Sequence, residues 1–161
     1  MLASLFVVFA AVAGVMFLLH QSPRAASGPT TTSTPAVSSS DTVRMQTATR
    51  AAAAATTAAR SKLDAMTGFP TTHKVSAVLN PYVASLRRYE TVLRGTDLPT
   101  AARTAARSAL VLVTRDVQFL GTIDGLPPVR LGSYLEDFGT NATQLLKTLN
   151  TLERALHTPT T

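Results

Sequence analysis

LGSYLEDFGTNATQLLKTLNTLERALH, residues 131–157, places Leu131, Leu135, Phe138, Ala142, Leu145, Leu149, Leu152 and Leu156 at alternating steps of four and three. An α-helix turns once in about 3.6 residues, so these positions fall on one stripe, the pattern of a knobs-into-holes seam. Leu146 widens it. A helix with so continuous an apolar face must bury that face against other helices. Ser133-Tyr134-Leu135-Glu136 matches a capping box and predicts that the regular helix starts there, while His157 and Pro159 mark its end. Gly139 costs about 1 kcal/mol against alanine unless close packing requires it.

Upstream, Asp97-Leu98-Pro99 reads as a cap with an early proline, and the helix predicted from there runs to about Ile123 before Asp124-Gly125-Leu126-Pro127-Pro128 stops it. It carries two apolar stripes. One holds Ala102, Ala106, Ala109, Val113, Val117 and Leu120; the other holds Leu112, Phe119 and Ile123 and is interrupted by Asp116. A helix apolar over so wide an arc is either central in its bundle or covered by another protein. Leu112, Asp116, Phe119 and Ile123 are therefore the candidate partner face. The competing expectation is that Asp116 is desolvated inside the bundle and compensated by an ion pair or hydrogen bond, with Arg87 or Arg88 as donor.

Two further helices precede these. Residues 72–94 bear Val75, Val78, Leu79, Tyr82, Leu86, Tyr89 and Leu93 on one stripe and end at Gly95. Pro81 falls within this stretch and predicts either a kink or a fresh start capped by Asn80. The earliest helix is predicted from Ser40 or Asp41 to Met66, with Gly68 and Pro70 beyond it. Its apolar face is thin: Val43, Leu63 and Met66 are separated by the alanines of residues 51–55, so it should form readily and be loosely held. Arg44, Arg50 and Arg60 should face water.

Four amphipathic segments joined by short turns predict an all-α fold, an up-down four-helix bundle over residues 41–157 with a tail at 158–161. A seam as regular as that of residues 131–156 also leaves self-association open. Residues 2–19, LASLFVVFAAVAGVMFLL, are eighteen residues without a charge. As a helix they would rise about 27 Å, close to the roughly 30 Å core of a bilayer. Residues 1–20 are thus expected to be a transmembrane anchor or a signal peptide, and the Ser/Thr/Pro/Ala-rich residues 21–40 a flexible tether. Membrane lipid is the expected partner of residues 2–19. Arg24 is the basic residue nearest the run, a slender guide to orientation; the hydroxyl-rich tether favours a domain outside the cytoplasm, secreted if the segment is cleaved.

The net charge is +6, with twelve Arg and three Lys against nine acids. A mildly basic domain suits anionic neighbours, but the cations are scattered and no aromatics are interleaved to stack on bases, which argues against nucleic acid. There is no cysteine. Disulfides, thiolate metal sites and lipid-acylated cysteine are thereby excluded. His20, His73 and His157 are too scattered for a metal site, and Glu136 and Asp137 point about 100° apart on a helix rather than converging. No glycine-rich phosphate loop or nucleophile elbow appears. The sequence thus predicts no catalytic residue, cofactor or metal. Its expected role is a non-enzymatic, membrane-tethered interaction subunit with a protein partner in the envelope; the alternative is a helical domain that binds a lipid or anionic small molecule.

Overall fold

The computed structural model describes residues 38–68 and 70–157. These are all-helical, with four α-helices and no strand among the described residues: α1 (Ser39–Asp64), α2 (Thr72–Arg94), α3 (Thr100–Leu120) and α4 (Leu131–His157). The apolar run at 2–19, residues 20–37 and the tail at 158–161 lie outside the described residues. Among the described residues no helix is long and apolar enough to cross a membrane.

Side-chain bonds between helices establish the bundle's topology. Thr49 meets Tyr89 and Thr56 meets Tyr82, each at 3.2 Å, so α1 and α2 run antiparallel. Thr114 on α3 donates to Glu90 on α2 at 2.9 Å, and Arg115 on α3 reaches Asn141 and Gln144 on α4. Arg50 pairs with Glu153 and Arg60 bonds Thr143, closing α4 back onto α1. Each helix therefore lies antiparallel between two neighbours, and the α1–α2 hairpin packs against the α3–α4 hairpin across a shared core.

The stripes of α2 and α4 supply much of the core, with Leu112, Val113 and Leu120 of α3 and Met45 of α1 beside them. Val75, Leu79, Tyr82, Leu86, Tyr89 and Leu93 are buried from α2, and Phe138, Ala142, Leu145, Leu149, Leu152 and Leu156 from α4. Where the chain enters α4 the seam shifts: Leu131 and Tyr134 are buried and Leu135 only half-buried. The helix also starts earlier than its capping-box pattern predicts. A short 3-10 turn, Pro128–Arg130, leads straight into a helix that begins at Leu131, and Ser133 Oγ donates to the Arg130 carbonyl rather than capping a new helix. Similarly, α3 begins at Thr100 with Pro99 at its cap position and no side-chain cap, so Asp97 does not have the role its place in sequence suggests.

The helix α2 continues through Pro81 as one element. Asn80 does not cap a second start; its amide donates to Ser76 Oγ, which in turn donates to Asp124 beyond α3.

Helix α1 departs most from expectation. Ser38 caps it, Val43 is 59% exposed, and the buried positions are Met45, Thr49, Ala52, Thr56 and Ala59. This face supplies little apolar volume, and hydroxyl pairs with the two tyrosines of α2 hold it on one side. On the other side Gln46 Nε2 donates to His157 Nδ1 at 2.7 Å, in line with the Arg50–Glu153 and Arg60–Thr143 contacts. An alanine-rich helix expected to be loosely held is fastened along both flanks by polar bonds.

Candidate functional site

Asp116 is the charged side chain most deeply placed in the bundle, 2% exposed. Its position one turn from Leu112, on a helix flanked by α2 and α4, carries it inward. The structure brings the sequence-derived face together as an internal layer: Leu112, Asp116 and Ile123 are buried by the chain's own helices, and Phe119 is half-buried, stacked on Tyr134 of α4 with ring centroids 4.5 Å apart. The donor to Asp116 is Arg115 at 3.5 Å, not Arg87 or Arg88, both of which are exposed. Arg115 is held by stronger bonds, to Asn141 Oδ1 at 3.0 Å and Gln144 Oε1 at 3.2 Å.

Burial pushes the Asp116 carboxyl above the ordinary aspartate range, and the nearby Arg115 guanidinium offsets part of that rise. The same low-polarity interior raises Tyr82 to about 12, chiefly by burial, with the Asp116 charge adding to the rise. Tyr89 and Tyr134 are raised to about 12 as well, again chiefly by burial. Every fully buried side-chain nitrogen or oxygen among the described residues has a hydrogen-bond partner. The inner polar groups are thus satisfied within the chain, which leaves its outer faces for contact.

Each pair of neighbouring helices leaves a hollow on the outer surface, and two of these lie on opposite faces of the bundle. Between α1 and α2 runs a shallow furrow made of two hollows of about 170 and 120 Å³ that meet at Ser85. Its α1 wall is the row Ala48, Ala51, Ala55 and Ala58, and its α2 wall is the row Val78, Pro81, Ser85 and Val92, with Arg88 and Lys62 lining it as cations. Small side chains leave the furrow open because α1 contributes only methyl groups there. On the opposite side, a wider groove of about 530 Å³ separates α3 from α4, lined by Ala101, Thr104, Ala105 and Ser108 facing Gln144, Lys147, Thr148 and Thr151.

His73 and His157 sit exposed on different helices, and no three His, Asp or Glu side chains among the described residues gather as ligands around one point. Glu136 and Asp137 are both exposed near the start of α4.

The molecule these features define is an antiparallel four-helix bundle with an alanine-rich first helix and shaped polar-apolar grooves on two opposite faces. No protein family, curated protein or solved structure significantly matches the chain.

Proposed function

We propose that this protein is a non-enzymatic, membrane-tethered helical module that binds or positions another component of the cell envelope, with its bundle on the extracytoplasmic side. The observation that supports this reading is one of sequence: eighteen uncharged apolar residues at 2–19, then a hydroxyl-rich stretch, then a bundle whose core is filled by its own residues. A run of that length and apolarity matches a bilayer core. The bundle does not need it as packing material, since Leu145, Leu149 and Leu152 are already covered by the other helices. What the bundle offers outward is contact surface, notably the α3–α4 groove and the α1–α2 furrow.

Fractionation of the full chain tests the tether: it should stay with membranes through alkaline extraction, and protease added to intact cells should remove the bundle. Recovery in the soluble fraction overturns the tether, and protection of the bundle overturns the orientation. A second reading, a helical domain that holds a lipid or anionic small molecule, is favoured by the apolar α1–α2 furrow with Lys62 and Arg88 on its walls. Native mass spectrometry after mild detergent extraction separates the two. A stoichiometric protein partner supports the first, a retained small molecule supports the second, and a bare monomer counts against both.

A further inference from the structure

The bundle's charge is divided unevenly between its hairpins. Residues 38–94, which carry α1 and α2, hold eight Lys or Arg against three acids, whereas residues 95–157 hold six against six. The net positive charge of the bundle therefore belongs to one side of it. Part of it is spent internally: Arg50 pairs with Glu153, Arg60 with Asp64 and Arg94 with Glu90. Arg44, Lys62, Lys74 and Arg88 are exposed, and none of them forms an ion pair among the described residues.

These four cations share the rows that border the α1–α2 furrow. Arg44 lies one turn before Ala48 and Lys62 one turn after Ala58, on the same row of α1; Lys74 lies one turn before Val78, and Arg88 stands in the α2 wall itself. Arg44 and Lys62 are eighteen residues apart, about 27 Å along the helix. Neither row contains an acid between its cations, and Asp41 in the first turn of α1 is the acid that adjoins them, one turn before Arg44. Cations spread over such a length and not converging on one pocket meet a small anion one at a time. An extended array of anions meets all of them together.

We propose that this α1–α2 face is the side of the bundle that lies against an anionic phospholipid surface, with Arg44, Lys62, Lys74 and Arg88 meeting headgroup phosphates across the alanine-walled furrow. The inference rests on the tether reading, because the apolar run at 2–19 makes the bilayer the nearest polyanion and only nineteen residues, 20–38, separate it from α1. Charge complementarity selects the face. The opposite hairpin is neutral in sum and has Lys147 as the cation of its groove, so it turns away from the surface and remains open to a partner. Attraction of this kind is shared among several exposed cations and is screened by salt.

The chain has no cysteine, so Ala58→Cys and Ser108→Cys each provide a unique labelling site, one on the furrow and one on the α3–α4 groove. Full-length chain is seated in lipid nanodiscs containing quencher-bearing headgroups. With about 30 mol % phosphatidylglycerol the label at position 58 should be quenched about threefold more than that at 108. The difference should vanish in phosphatidylcholine discs, at about 0.5 M salt, and in the Arg44→Gln, Lys62→Gln, Lys74→Gln, Arg88→Gln combination. The lipid comparison uses the unaltered cations and so does not depend on that combination folding. Equal quenching at both positions, or more at 108, in a chain that has entered the disc overturns the proposed face and leaves the anchor standing. A chain that does not enter discs overturns the tether reading and this inference with it. Salt-sensitive protection of position 58 in native membranes but not in protein-free discs assigns the face to an acidic protein and overturns the lipid assignment.

Discussion

The hydroxyl pair Thr56–Tyr82 predicts unequal costs for removing its two members. Thr56 is fully buried and donates its hydrogen to the Ala52 carbonyl at 2.8 Å, so in the 3.2 Å contact with Tyr82 the phenol is the donor and Thr56 the acceptor. Tyr82→Phe removes that donor, keeps the ring in its edge contact with Phe138 at 6.0 Å, and leaves Thr56 bonded to Ala52. At 3.2 Å the bond is longer than the usual O–H···O, so its loss should cost about 0.5–1 kcal/mol. Thr56→Val is nearly isosteric but leaves a phenol only 3% exposed with no acceptor, a cost of about 1–3 kcal/mol. In the double variant the stranded phenol is gone, so the total should fall below the sum of the single effects by about 1 kcal/mol. Urea unfolding of the four proteins at neutral pH measures this cycle, and 1 kcal/mol corresponds to a shift of about 3–5 °C in Tm for a bundle of this size. Equal single costs that add within about 0.3 kcal/mol would refute the assigned donor direction and the idea that α1 is held by hydroxyl pairing.

Gly139→Ala should raise stability by about 0.5–1 kcal/mol, because it lies within α4 and a methyl group there would meet nothing within 4 Å; a loss of stability on thermal melting would contradict this. All three tyrosines of the chain have pKa values raised from 10.0 to about 12, so the unfolded chain ionises first and stability is lost as pH rises from 10 toward 12. The loss is about 2–3 kcal/mol per tyrosine, enough that tyrosinate absorbance and helical dichroism should change together in one steep step; a gradual rise in absorbance near pH 10 with the helices intact would count against it. Asp116 carries the same sign at lower pH: its folded carboxyl titrates above the unfolded one, so ionisation weakens the fold as pH rises through that interval. Asp116→Asn, which keeps the acceptor for Arg115, should therefore stabilise at neutral pH, with the gain shrinking toward acid pH; a gap constant with pH in urea unfolding would sink this account.

The stripes of α2 and α4 were legible because each is stated by one helix alone: large apolar residues at steps of three and four identify their own buried side. The burial of Met45, Thr49, Ala52, Thr56 and Ala59 is not legible from α1 alone, although these five keep the same spacing. Threonine is neutral as a hydrophobic signal, and it becomes a core residue here only because Tyr89 and Tyr82 stand opposite on the returning helix. That complementarity belongs to the hairpin rather than to either segment. A usable sign was present, since pairing Thr49 with Tyr89 and Thr56 with Tyr82 follows from one antiparallel register. The desolvation of Asp116 is legible from its place between Leu112 and Phe119, but its donor is the adjacent Arg115, which curls back to it, and not an arginine of α2. Neighbours on a helix diverge by about 100°, so spacing alone does not point to an arginine at the next position, whose long, flexible side chain can nevertheless reach back. Of the proposed face, Phe119 alone retains partial exposure, because the apolar width of α3 is used inside this chain.

Holding α1 by hydroxyls and ion pairs rather than by large apolar side chains has a consequence for its outer surface. A helix that packed through leucines would need bulky residues on both flanks of its buried line, and these would fill the space beside α2. With Thr49 and Thr56 making the inward bonds and Arg50 and Arg60 fastening the α4 flank, the α2 flank is free to be alanine, and the furrow is what remains. The cations divide in the same way: those toward α4 are engaged in holding the bundle, whereas Arg44 and Lys62 on the α2 flank are not. The two flanks of one helix therefore do different work, and substitutions should separate them. Arg50→Gln and Arg60→Gln should lower unfolding stability by a few tenths of a kcal/mol each, as exposed pairs do, with little effect on which face of the bundle meets a charged surface. Arg44→Gln and Lys62→Gln should leave stability within about 0.5 kcal/mol and weaken the salt-sensitive quenching of a label at position 58. If both pairs of substitutions changed stability alone, the division of labour along α1 would be lost, and the furrow would be only a by-product of small side chains.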